Sequence, residues 1–145
     1  INSGFQLYKR IEVDNGVFGR EETYIYNGVS IDLFYFYDFD NDLKYTTVFV
    51  PFDDCKTFDD SLKRYGGLLP IQLILPLDVQ VRYIPFLGIN VPIPINAIEF
   101  LVARYGENWR IPDPTFVYPK MGDARVEYRR DKIGRIVFEN SQIIL

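Results

Sequence analysis

The stretch ETYIYNGVSIDLFYFY, Glu22 to Tyr37, decides the fold class. Glu22–Tyr26 reads as a short strand. Asn27-Gly28 follows as a strong hairpin turn, because both residues tolerate positive φ. Val29–Tyr37 reads as the return strand. One face carries Val29, Ile31, Leu33, Tyr35 and Tyr37; the other carries Ser30, Asp32, Phe34 and Phe36. Apolar residues dominate both faces, which predicts a central strand covered on each side. Asp32 is the exception inside it.

Outward from that hairpin the pattern stays β-rich. Phe5–Val13 alternates in part and ends at an Asp14-Asn15-Gly16 turn, and Lys44–Phe52 reads as a partner strand beyond the acidic loop Asp38–Asp42. Asp53–Gly67 is polar, with a short helix expected around Asp59–Tyr65. Pro70, Pro76, Pro85, Pro92 and Pro94 exclude a long helix between Leu68 and Ile95. Within that stretch Val79–Ile84 is β-prone, and Phe86–Val91 suggests a tight hairpin around Gly88. Asn96–Tyr105 is the clearest helix. Asn96 and Glu99 have capping-box spacing, Ile98, Leu101, Val102 and Tyr105 form an apolar stripe, and Gly106 closes it. That stripe is expected to pack on the sheet carrying Asp32, with Trp109 closing over the helix end. Ile111–Pro119 should be extended, and Arg125–Glu139 reads as a hairpin turning near Lys132-Ile133-Gly134. No repeat or linker divides the chain. The expectation is one α+β domain over 1–145, with a mixed, mainly antiparallel sheet and few helices.

Composition narrows the chemistry. The 145 residues are 48% hydrophobic and 25% charged, the balance of a folded domain. There is no histidine, which excludes Ser-His-Asp and Cys-His nucleophilic sites and histidine-bound zinc. The single cysteine, Cys55, excludes an internal disulfide and a thiolate zinc site. A net charge of −4 argues against nucleic acid as a partner. No apolar run reaches the ~20 residues of a membrane-spanning helix, and no signal-peptide pattern is evident. The chain starts at Ile1 in mid-pattern and reads as a fragment or a processed product.

Few residues stand out as chemical candidates. Asp32, between Ile31 and Leu33, would be costly to bury uncompensated. Spacing alone leaves two readings: a half-wet carboxylate capping a loop, or a carboxylate held by hydrogen bonds or a cation. Asp38–Asp42 imitates the start of a calcium loop. It fails at position six, Leu43 for glycine, and at position twelve, Phe49 for glutamate. Arg20, Glu21 and Glu22 follow Gly19 and read as surface charge or as the polar rim of a site. The basic cluster Arg125–Arg135, interleaved with acids, reads as a solvated hairpin. Tyr105 and Trp109 cover a core edge or stack on a ligand.

Two motifs carry a resemblance. Gly19-Arg20-Glu21-Glu22 followed by Ile31-Asp32-Leu33-Phe34-Tyr35-Phe36-Tyr37 resembles the fukutin group of the LicD-type phosphotransferases. Val91-Pro92, with the later Arg104-Tyr105-Gly106-Glu107-Asn108-Trp109-Arg110-Ile111-Pro112, resembles the same family's downstream motif. The resemblance runs from about Gly4 to Pro114. It implies a nucleotidyltransferase-like fold, of which 1–145 would be the C-terminal part. It implies metal-dependent transfer of a phospho-alcohol, such as phosphocholine or ribitol 5-phosphate, from a CDP-linked donor to a glycan. The metal, Mg2+ or Mn2+, would sit on an upstream Asp-x-Asp pair and on a third carboxylate that Asp32 matches. Arg20, Glu21, Glu22, Tyr105 and Trp109 would be substrate-binding. The compartment would be the cytoplasm in a bacterium and the Golgi lumen for a eukaryotic fukutin-like protein. The glycine-rich turn and Asp-x-Asp pair would precede Gly4, and Asp38 and Asp40 do not replace them, so 1–145 alone is expected to be catalytically incomplete. The competing class is a non-catalytic carbohydrate-binding or assembly module.

Overall fold

Alternating side chains and two positive-φ turns build the first sheet. β1 (Gln6–Val13) turns through Asp14–Gly16 into β2 (Gly19–Tyr26). β2 returns through Asn27 and Gly28, at φ 48° and 77°, into β3 (Val29–Phe34). The computed structural model describes residues 4–40, 42–115 and 124–140. Further along come β4 (Phe36–Asp40), β5 (Leu43–Val50), α1 (Phe58–Tyr65) and β6 (Leu69–Pro76). β7 (Val81–Phe86), β8 (Ile89–Pro94), α2 (Ala97–Tyr105), β9 (Arg125–Tyr128) and β10 (Arg135–Glu139) complete the described elements.

The sheets have strand orders β10-β1-β2-β3, β4-β5-β6-β9 and β7-β8. The pairs β1–β10, β1–β2, β2–β3 and β7–β8 are antiparallel. The class is α+β with mainly antiparallel sheet and two α-helices among the described residues. The described residues fall into two compact units. The first draws on Ile1–Tyr37, Thr46–Leu73 and Glu127–Leu145, the second on Asp38–Tyr45 and Ile74–Val126.

In the first unit the core centres on Ile11, Val13, Phe49 and Leu68, with Phe18, Leu62 and Ile136 packed against them. Gly134 sits so close to Phe49 that a Cβ would meet its ring at 2.3 Å. That approach lets Gly134 and Leu68 exchange backbone hydrogen bonds of 2.8 Å. α1 is locally specified: Thr57 Oγ1 accepts from the Asp60 amide at 3.1 Å, and Asp59 and Asp60 occupy the first turn. Gly66, at φ 69°, stops it. Ser61 is buried and donates to the Gly67 carbonyl at 2.7 Å, which ties the helix to the next strand.

In the second unit α2 ends as expected, with the Gly106 amide donating to Val102 O at 2.7 Å. Its start differs from the expected capping box. Asn96 makes no side-chain cap; its Oδ1 accepts from the Asp78 amide at 3.0 Å instead. No residue of α2 is buried, and Ile98 and Tyr105 are exposed. The helix belongs to a different unit from the Asp32 sheet.

Two further expectations are corrected. Val29–Tyr37 is not one central strand. It breaks at Tyr35 into β3 and β4, which join different sheets, and β3 is an edge strand with every residue exposed. At the break the Tyr35 hydroxyl donates to Glu22 at 2.8 Å, and just beyond it that of Tyr37 donates to the Gly16 carbonyl at 2.7 Å. Arg125–Glu139 is not a simple hairpin either, since β9 and β10 lie in different sheets. Between them the chain follows the start of β6, with the Arg129 amide bonded to Pro70 O at 2.9 Å and Gly134 to Leu68. The expected extended run 111–119 lies partly outside the described residues.

Candidate functional site

Strand alternation sends the neighbouring side chains of Glu21 and Glu22 to opposite faces of the first sheet. On the Glu22 face, cross-strand register places Arg10 opposite Glu22 and Glu12 opposite Arg20. Glu22 is buried, with 3% of its surface exposed. It accepts from Arg10 Nε at 2.6 Å, Tyr35 Oη at 2.8 Å and Tyr24 Oη at 2.9 Å. Burial pushes the Glu22 carboxyl up, but the hydrogen bonds from Tyr35, Tyr24 and Arg10 outweigh it and hold it below the ordinary range. The same bonds raise both phenols. Arg20 Nε lies 2.8 Å from Glu12 Oε1, and its guanidinium stands 5.4 Å from the Tyr35 ring centroid. Every charge here has a partner inside the sheet, the arrangement of a structural network.

The opposite face is less satisfied. Register places Thr23 between Lys9 and Asp32, and Glu21 in the next row between Ile11 and Phe34. Thr23 Oγ1 donates to Asp32 Oδ1 at 2.7 Å and fixes how that carboxylate turns. Burial, then the charge of Asp32, push the Glu21 carboxyl up to about 7, with Lys9 opposing. Two carboxylates thus share one face with a hydroxyl oriented between the strands. Among the described residues no three or more acidic or cysteine side chains cluster tightly enough to hold a metal by themselves.

Asp32 was expected in a central strand covered on each side. It lies instead on the exposed edge strand β3. A small apolar groove of about 300 Å3, lined by Phe5, Tyr24, Ile31 and Leu33, opens on the face opposite Asp32.

Tyr105 and Trp109 belong to the second unit. With Asn108, Ile111 and Pro112 they line an open groove of about 780 Å3. The Trp109 amide folds back onto the Gly106 carbonyl at 3.1 Å, which turns the chain just past the helix end. The ring is half-buried, and Arg110 covers it at 4.2 Å. Arg104 covers Tyr105 at 5.1 Å. A third cavity of about 450 Å3 is lined by Asp42, Lys44, Asp78, Gln80, Asn96 and Glu99. Within the acidic loop, Asp38 is engaged by Lys44.

The sequence candidates therefore divide three ways. Arg20 and Glu22 come together with Arg10, Glu12, Tyr24 and Tyr35, which sequence reading missed. Glu21 and Asp32 come together with Thr23, also missed. Tyr105 and Trp109 line their own groove. A signal for Thr23 existed: a two-residue Asn27-Gly28 turn pairs Tyr26 with Val29 and so Thr23 with Asp32. Compared with known protein families, curated proteins and solved structures, the chain matches none. No helix among the described residues is long and apolar enough to cross a membrane.

Proposed function

We propose that this chain belongs to a LicD/fukutin-type, nucleotidyltransferase-like phosphotransferase. Its reaction would move a phospho-alcohol, such as phosphocholine or ribitol 5-phosphate, from a CDP-linked donor to a glycan hydroxyl. The observation carrying this reading is the Asp32–Glu21 pair on one sheet face, with Thr23 bonded to Asp32. Two carboxylates and a hydroxyl are hard oxygen donors, the set that Mg2+ or Mn2+ takes alongside water and substrate phosphates. Burial is the larger cause of the Glu21 rise, and the second, the charge of Asp32, is what a cation between the two would offset. Asp32 and Glu21 would hold the ion, which when bound would neutralise the donor diphosphate and the charge on departing CMP. Thr23 keeps Asp32 oriented toward that side of the sheet. Arg20, held by Glu12 and Tyr35, serves the scaffold in this reading, as does Glu22.

The alternative is a non-catalytic carbohydrate-binding or assembly module. The open groove at Tyr105 and Trp109 favours it, since an aromatic-lined groove suits sugar rings. Calorimetric titration separates the two. The transferase reading expects CDP-choline or CDP-ribitol to bind 1–145 only with Mg2+, and at least about ten-fold more weakly to Asp32→Asn, a difference of ~1.4 kcal/mol. Metal-independent glycan binding that is lost in Trp109→Ala, with no donor binding, would support the module instead. Turnover is expected to be absent from 1–145 alone. Robust Mg2+-dependent turnover abolished by Asp32→Asn would show a complete metal site within this chain.

A further inference from the structure

The β7–β8 hairpin is built unlike the β2–β3 hairpin. Between Val79 and Ile98 the sequence holds one charged side chain, Arg82, although 25% of the chain is charged. Both faces and the tip of the hairpin present apolar groups to solvent. Tyr83 is 67% exposed on one face, Phe86 57% and Ile89 63% on the other, and Leu87 89% at the tip.

The tip is also strained. Leu87 and Gly88 have φ of 48° and 82°, nearly the values of Asn27 and Gly28 at the β2–β3 turn. Asparagine tolerates that left-handed conformation, and leucine does so only at a cost. A strained, protruding leucine suits function better than folding.

The hairpin edges have lost half of their outward donors. Register pairs Pro85 with Asn90, Tyr83 with Pro92 and Val81 with Pro94. These alternate with the pairs that close the two-residue turn, so their amide positions face outward. Three of those positions are prolines, which have no N–H to leave unpaired. The substitutions discourage strand addition and reduce the cost of taking the hairpin out of water.

From these features we infer that the β7–β8 tip inserts into the headgroup–acyl boundary of a phospholipid bilayer. A folded protein surface would cover one face of so narrow a hairpin, whereas lipid can wet both faces and the tip together. Arg82 and Tyr83 stand toward the base, where a cation and an amphipathic ring meet headgroups. Arg82, the one charge of the hairpin, favours a leaflet containing anionic lipid at that point. The inference is independent of the proposed transfer chemistry.

Flotation with phosphatidylcholine vesicles, with and without phosphatidylglycerol, tests it. The wild-type chain is expected to float with the mixed vesicles, and Leu87→Asp to bind at least about ten-fold more weakly. Val17→Asp, at an apolar position 76% exposed in the other unit, should float like wild type. Leu87→Asn is the decisive control: it should raise the melting temperature by relieving the turn, yet weaken flotation. Arg82→Gln should reduce binding to the mixed vesicles alone. Absence of wild-type flotation would overturn the inference, as would flotation unaffected by Leu87→Asp and Leu87→Asn. Self-association lost in Leu87→Asp without lipid binding would equally overturn it, by assigning the tip to a protein partner.

Discussion

β6 and the β7–β8 hairpin are made of the same material and meet opposite fates. LPIQLILP and VRYIPF…INVPIP are both apolar and punctuated by proline. Leu69 through Leu75 are buried without exception. In the hairpin no residue is buried. The difference lies in neighbours. β6 has a strand on each side, β5 and β9, whereas among the described residues β7 and β8 pair only with each other. Even the polar residue of β6 is absorbed: Gln72 is 2% exposed and accepts from Arg129 Nη1 at 3.1 Å. Hydrophobic composition states that a segment must be covered, and topology decides whether the chain itself covers it.

Truncating one residue in each region should expose that contrast most sharply. Leu73→Ala is expected to cost ~2–5 kcal/mol in urea melts, through lost burial and the cavity left behind. Tyr83→Ala should cost under about 1 kcal/mol, because the ring is 67% exposed. Equal losses would mean that the hairpin is covered in solution.

A second contrast, within β2, concerns Glu22 and Glu21. Glu22→Gln should cost ~1–3 kcal/mol at pH 7, since it removes a buried, charge-assisted network. Because the Glu22 pKa is depressed on folding, its contribution is present above the ordinary carboxylate range. It is lost as pH falls through the lowered value. Glu21 runs the other way. Its pKa rises from 4.5 to about 7 on folding, so the folded chain keeps a proton that the unfolded chain releases. Stability should therefore fall as pH rises between those values, by about 2 kcal/mol for a partly exposed group. Glu21→Gln should flatten that slope and leave the acid-side loss in place. A slope unchanged in Glu21→Gln would place the titrating group elsewhere.

Much of the fold was legible wherever local chemistry dominates. The Asn27-Gly28 turn, the Phe86–Val91 hairpin, the two helices and the Gly106 stop follow from turn preferences and apolar spacing, whereas the capping box expected at Asn96 does not form. The break at Tyr35 was not legible. A run apolar on both faces reads as one covered strand, and nothing local shows that Tyr35 and Tyr37 spend their hydroxyls on Glu22 and Gly16. The separation of β9 from β10 was hidden for the same reason, since it depends on Gly134 meeting Leu68 across the chain. At the site, Asp32 stood out as a lone carboxylate in an apolar run. The opposite facing of Glu21 and Glu22 is a plain consequence of strand period. Their opposite environments depend on Arg10 and Tyr35, which only tertiary structure brings near.

Manganese binding tests the central claim, that the Asp32 face and not the Glu22 face takes a cation. Mn2+ titration in the presence of CDP, followed by electron paramagnetic resonance, should show binding by the wild-type chain. Asp32→Asn should weaken it at least about ten-fold. Glu22→Gln should leave it unchanged once the variant is shown to be folded. Absence of Mn2+ binding, or binding indifferent to Asp32→Asn, would contradict the assignment of a metal to this face.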